Sequence, residues 1–115
     1  MEAVDIRAHA RYIQISAQKV RLVVDQVRGK DVLEALSILK FTPNRAAAPV
    51  SKVIASAMAN AEENFGVSRD DLYIHRIFAD EAPTRRWRRF GARGRFKPIL
   101  KRAAHVTVVL REWEE

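Results

Sequence analysis

The stretch Thr84-Arg85-Arg86-Trp87-Arg88-Arg89-Phe90-Gly91-Ala92-Arg93-Gly94-Arg95-Phe96-Lys97-Pro98 restricts the possible folds of this chain more than any other. It holds seven Lys/Arg, no acid, three aromatics and two glycines, with prolines bounding it at Pro83 and Pro98. Its aliphatic content is too small to offset the entropy of ordering it, and its like charges repel. It cannot build a core of its own. The sequences on both sides nevertheless read as regular strands. The stretch is therefore expected to be the far end of a long basic β-arm, held out from a small folded body toward a polyanion.

The distribution of charge supports that division. Residues 1–81 carry 11 Lys/Arg and 11 Asp/Glu, whereas residues 82–115 carry 10 and 3, so the whole net charge of +7 lies in the last third. A neutral body with one basic arm points to a localised anionic partner, most often nucleic acid. The remaining composition excludes other classes. At 115 residues, 48% apolar and 30% charged, the chain is one ordinary globular domain. It has no cysteine, which rules out disulfides, thiolate metal sites and a cysteine nucleophile. No apolar run approaches the roughly 18 residues of a membrane span. The acidic start, Met1 to Asp5, lacks the apolar region of a signal peptide, so a cytoplasmic protein without a membrane partner is expected.

Along the body, Val4, Ile6, Ala8, Ala10 and Tyr12 alternate with Asp5, Arg7, His9 and Arg11, the pattern of a half-buried strand with a wet, partly basic side. Ile13 and Ile15 break the phase, which predicts a bend or strand end there. Ser16 is a good N-cap for a helix to about Arg28, with Gly29 at C′ and Val20, Val23, Val24 and Val27 as its apolar stripe. Lys19, Arg21 and Arg28 lie off that stripe, with Asp25 as a candidate partner for Arg21. Asp31 and Glu34 resemble a capping box opening a short helix through Leu33, Leu36 and Leu39. Thr42-Pro43 reads as the N-cap and first residue of a third helix reaching about Glu63, which Pro49 would bend.

Residues 72–79 and 104–110 are strand-like. Leu72 and Leu110 are equidistant from Gly91, as are Ile74 and Val108, and Phe78 and Ala104. A reversal near Gly91 would then let these apolar residues meet on one face of an antiparallel pair and share a core, unless a bulge slips the register by a residue or two. Strand from Leu72 to Phe90 spans roughly 60 Å at about 3.3 Å per residue, far beyond the ~13 Å radius of gyration of a compact domain this size. The arm must overshoot the body. An isolated ribbon is marginal in water, so its tip is expected to be mobile when free and ordered on a partner. The fold expected is α+β: three helices packed on a small three-stranded antiparallel sheet, with a long protruding basic β-hairpin. Residues 1–81 and 103–115 form the body and about 82–102 the arm of a single domain.

The chemistry favours binding over catalysis. His9, His75 and His105 lie on strands without metal-ligand spacing, and Asp70-Asp71 and Asp80-Glu81 lack the further acid or base that a two-metal nuclease needs. No catalytic residue, metal or cofactor is expected. Asp80-Glu81 instead limits the basic arm at its root, pairing with Lys101 or Arg102. Gly91-x-x-Gly94 is a turn without phosphate-loop context. Seven of the nine basic residues among 85–102 are arginine, whose planar fork of donors suits phosphate oxygens. Trp87, Phe90 and Phe96 either stack on unpaired bases or stiffen the ribbon by cross-strand packing. An architectural DNA-binding protein, its arm inserting Pro98 or Phe90 at a base step, is the alternative class.

Several motifs carry a family resemblance. Ser16-Ala17-Gln18-Lys19-Val20-Arg21-Leu22-Val23, Val27-Arg28-Gly29-Lys30, Ala57-Met58-Ala59-Asn60-Ala61-Glu62, Asp80-Glu81, Ala92-Arg93-Gly94-Arg95 and the run from Lys101 to Val109 resemble the bacterial form of large ribosomal subunit protein twenty-two. The resemblance covers nearly the whole chain in order. It implies a structural constituent of the large subunit, without enzymatic activity, that supports subunit assembly. Its implied partners are large-subunit ribosomal RNA, neighbouring ribosomal proteins and, at the hairpin tip, the nascent peptide in the exit tunnel; the protein would be a monomer within the cytoplasmic ribosome. By position, Arg85, Arg86, Arg88, Arg89, Arg93, Arg95 and Lys97 would be arm contacts. Lys19, Arg21, Arg28, Lys101, Arg102 and His105 would be contacts from the body and arm root. Phe90-Gly91 replaces the family's usual Pro-Arg, and Phe96 its usual small residue.

Overall fold

A computed structural model describes residues 4–83, 85–90 and 96–113. The elements run β1 (Ile6–Ile13), α1 (Ala17–Val27), α2 (Val32–Lys40), α3 (Ala47–Phe65), a 3-10 turn (Arg69–Asp71), β2 (Leu72–Glu81), β3 (Arg85–Phe90), β4 (Phe96–Lys101) and β5 (Ala104–Glu112). Strands β1, β5 and β2 form an antiparallel sheet in that order, and β3 pairs antiparallel with β4. The expected α+β architecture, three helices on a three-stranded sheet with a β-hairpin, is the one observed.

One face of the sheet is buried under the helices. Ile6 and Ala8 from β1, Val106, Val108 and Leu110 from β5, and Leu72, Ile74, Ile77 and Ala79 from β2 meet the valine stripe of α1 and the alanine-rich face of α3. Val20, Val23, Val24 and Val27 are all fully buried, as their spacing predicts. Ala57 and Ala61 on α3 are also fully buried, small enough to let that helix lie close over β1 and β5. Asn60 Nδ2 donates to the Arg7 carbonyl at 3.3 Å across that contact.

The pairing departs from the register centred on Gly91. Ile74 faces Leu110, Ile77 faces Val108 and Phe78 faces Thr107. The arm pairs are centred two residues beyond Gly91, which offsets the pairing along its whole length, and a bulge between Ile74 and Arg76 changes that offset by one inside the body. Leu72 and Ile74 are apolar in one phase of the period-two pattern, Ile77 and Ala79 in the other, and one extra residue at His75 lets both pairs point into the core. Phe78, expected inside, is consequently 40% exposed, while Ile77 is 1% exposed. A second bulge falls between Ala10 and Ile13, at the break in phase. Tyr12 takes a positive φ of 58° there and turns outward, off the core face that its alternation with Ile6 implied. The strand also begins at Ile6, leaving Val4 exposed.

Helix ends differ in instructive ways. Helix α1 keeps its expected limits, with Ser16 at the N-cap and Gly29 at a φ of 78° just beyond its end. The capping box of α2 does not form: Asp31 makes no side-chain cap bond, its buried Oδ1 lacks a protein partner, and Val32, Ala35 and Leu39 are buried where Leu33 is exposed. Thr42 closes α2 instead of opening α3, its hydroxyl donating to the Ile38 carbonyl at 2.7 Å. Asn44 then accepts from the Ala46 amide at 2.9 Å, and α3 starts at Ala47. Pro49 thus falls in the first turn, where its missing N–H has no intrahelical acceptor to lose, and no bend is required. At the other end Gly66, φ 65°, returns its N–H to the Ala61 carbonyl.

The molecule is 67 Å long and only 26 by 19 Å across, with a radius of gyration of 17.4 Å. A compact domain of this size would have about 13 Å. The excess is the hairpin.

Candidate nucleic-acid interface

The hairpin continues strands β2 and β5 of the body. Ala82 donates its N–H to the Ala103 carbonyl at 3.0 Å, carrying the β2–β5 ladder outward. Beyond it Arg85 pairs with Lys101, Arg86 with Leu100, Trp87 with Ile99, Arg88 with Pro98, Arg89 with Lys97, and Phe90 with Phe96. The backbone ladder thus arrays Arg85, Arg86, Arg88 and Arg89 on one strand opposite Lys97 and Lys101 on the other. Arg93 and Arg95, the turn geometry and the expected mobility of the tip lie outside the described residues, as do the side-chain packing of Trp87, Phe90 and Phe96 and any pairing of Lys101.

At the root of the arm the structure brings together residues from four parts of the chain. A cavity of about 660 Å³ opens between the start of α1, the loop before α3 and the ends of β2 and the arm. Lys19, Arg45 and Arg102 line it together with Gln18, Asn44 and Glu81. Ser16 at the α1 N-cap makes no side-chain cap bond, so the orphan amides of that helix add positive potential beside the cavity. None of the ion pairs among the described residues uses Lys19, Arg45, Arg102 or Glu81. The bridge expected between Asp80-Glu81 and Arg102 is therefore absent among the described residues, although Glu81 and Arg102 share the cavity wall.

Arg21 and Arg28 have work within the body. Arg21 Nε donates to the Ala79 carbonyl at 3.1 Å, and Arg28 donates to the Ile77 carbonyl at 2.9 Å and to Asp25 at 2.6 Å. The partner of Asp25 is thus Arg28 and not Arg21. These arginines satisfy outward carbonyls of β2, while Gly29 and Lys30 exchange backbone bonds with Ile74. The β2 edge is thereby closed to further strands. His105 is likewise engaged: its Nδ1 accepts from the Tyr12 amide at 3.1 Å, and the two rings meet edge to face at 4.7 Å. An imidazole that accepts through Nδ1 carries a proton on Nε2, which makes that nitrogen a donor.

Two ion pairs shape the rest of the surface. Arg111 Nε donates to Asp5 at 2.5 Å, and this bond with the guanidinium charge holds the Asp5 carboxyl below its ordinary value. Arg69 does the same for Glu62 at 2.6 Å. Among the described residues no cluster of His, Asp or Glu could hold a metal ion, and no helix is long and apolar enough to cross a membrane.

Sequence reading missed Arg45 and Asn44 as part of this surface, because Thr42-Pro43 imitates a helix start and places both residues inside a helix. The available signal was Asn44, a stronger capping residue than the alanines that follow.

The motifs, the fold and the basic arm agree with similarity across the chain. Residues 8–111 match the family model described as ribosomal protein L22p/L17e. The large ribosomal subunit protein uL22 of Pediococcus pentosaceus is 50% identical over 109 residues, covering 95% of this chain and 92% of that protein. The protein of the same name from Thermoanaerobacter sp. strain X514 is 51% identical over 110 residues, covering 96% and 99%. Its counterpart in Thermoanaerobacter pseudethanolicus is similar to the same extent. This chain belongs to the ribosomal protein L22p/L17e family.

Proposed function

We propose that the protein binds large-subunit ribosomal RNA with both its body and its arm, and that the arm runs through the RNA to the nascent-peptide exit tunnel. The chain is a structural ribosomal protein of the large subunit, not an enzyme. The observation that carries the reading is the union of charge and shape: the full excess of +7 falls on the third of the chain that holds the protruding strand pair. A two-stranded ribbon offers no core layer for charged side chains, and arginine's fork of donors suits phosphate oxygens. Arg85, Arg86, Arg88, Arg89, Arg93, Arg95 and Lys97 are the arm contacts. Lys19, Lys101, Arg102 and the Nε2 donor of His105 serve the root, with the nitrogens of Arg21 and Arg28 not spent on β2 beside them. Trp87, Phe90 and Phe96 meet bases or the tunnel wall. Residues 1–81 and 103–115 act as the anchoring body, which assists assembly by binding RNA segments on several sides.

Co-sedimentation tests the assignment. The protein is expected to travel with the large subunit and to leave it only at high salt, and large-subunit RNA should outcompete duplex DNA. Failure to associate with the subunit, or equal competition by DNA, would reject it.

A further inference from the structure

We infer that the cavity at the arm root is a ribose–phosphate subsite, in which Lys19, Arg45 and Arg102 hold backbone phosphate and Glu81 accepts a ribose 2′-hydroxyl. This inference rests on the RNA-binding reading and gives it a site that discriminates RNA from DNA.

The size of the cavity sets the class of ligand. At about 660 Å³ it falls within the roughly 300–1,000 Å³ of small-molecule pockets, so it takes a sugar–phosphate segment and not a lone ion. Its charge sets the sign. Three cations against one carboxylate leave a net of 3 − 1 = +2 on the wall, and none of the four is neutralised by an ion pair among the described residues. Like charges brought together from α1, the loop before α3 and the arm root repel one another. A bound anion relieves that repulsion.

Glu81 is the informative exception. A carboxylate beside a phosphate site costs affinity for any polyanion, DNA and RNA alike. It returns affinity only to a ligand that offers a donor, and the ribose 2′-hydroxyl is the donor that RNA has and DNA lacks. Ionised carboxylates only accept, so the direction of that bond is fixed. Asn44 complements it. Its Oδ1 already accepts from the Ala46 amide, which leaves the Nδ2 group to donate to a phosphate or sugar oxygen.

The test uses the full chain with large-subunit RNA and with single-stranded DNA of the same sequence, each titrated across a range of salt. The Lys19→Ala/Arg45→Ala/Arg102→Ala variant should bind RNA about tenfold or more weakly, with a salt slope shallower by roughly one to two. Glu81→Ala should bind DNA more tightly than the parent and lose about tenfold of the RNA-over-DNA preference, as expected for one lost charge-assisted hydrogen bond. Arg45→Ala alone, at an exposed loop position, carries the first measurement if the triple variant misfolds. A triple variant with parental affinity and slope, or a Glu81→Ala variant with parental preference, overturns the subsite while leaving the function in place. A parent protein that binds RNA without salt dependence overturns the function itself.

Discussion

Two glycines and one ion pair show how single residues hold this body together. Gly29 and Gly66 sit at φ of 78° and 65°, and an added Cβ would meet nothing within 4 Å at either. Substitution there is penalised by backbone conformation alone. Gly29→Ala is expected to lower stability by about 1–2 kcal/mol, read as a shifted urea midpoint with an unchanged slope. Asp5 shows a pH dependence of definite sign. Its carboxyl is lowered from 3.8 by the Arg111 bond, so the folded state favours the ionised form. The stability this adds is complete above the unfolded value and disappears as pH falls through the lower folded one. Urea titrations should therefore separate wild type from Asp5→Asn near pH 7 and bring them together in strong acid. A gap that keeps its full size or widens in strong acid would contradict the pairing. Tyr12 was not readable in advance: its alternation with Ile6 is regular, and only the partner strand reveals the extra residue that turns it outward.

At the scale of elements, the bulge at His75 decides which side chains of β2 are structural. Ile77→Ala should cost about 2–5 kcal/mol as a core truncation, while Phe78→Ala at a 40% exposed position should change stability little. The reverse order would restore the simpler register. That register was the natural one to expect, because symmetry about Gly91 pairs apolar residues without any bulge. Sequence patterns state which residues are apolar, whereas register is a property of two strands and the layer beneath them. The existence of the strands, the α1 stripe and the Gly29 stop were legible because each is local. The start of α3 was not, since Thr42 and Asn44 both offer capping oxygens and tertiary packing chooses between them. The same ambiguity hid Arg45 from the candidate interface. Arm and body are a further division between elements: deletion of residues 86–97 should leave a cooperatively unfolding body, because the buried core comes from β1, β2, β5 and the helices. Loss of cooperativity would show that the hairpin is part of the folding unit.

For the whole molecule, the charge division predicts how binding responds to salt. If about six phosphates are neutralised, log affinity should fall against log salt with a slope of about −4 to −5. The arm deletion should lose most of that slope, and filter binding or fluorescence anisotropy over a salt series measures both. A deletion that keeps the full slope would move the interface onto the body. The sheet order has a mechanical consequence. Strand β5 is central, bonded to β1 on one side and β2 on the other, and it is also the strand into which the returning half of the arm runs. Traction along the arm pulls β2 and β5 together and loads the β1–β5 ladder in shear, so its hydrogen bonds must yield together and not one at a time as in a peeled edge strand. The protein is built as a tether, its strongest direction lying along the arm.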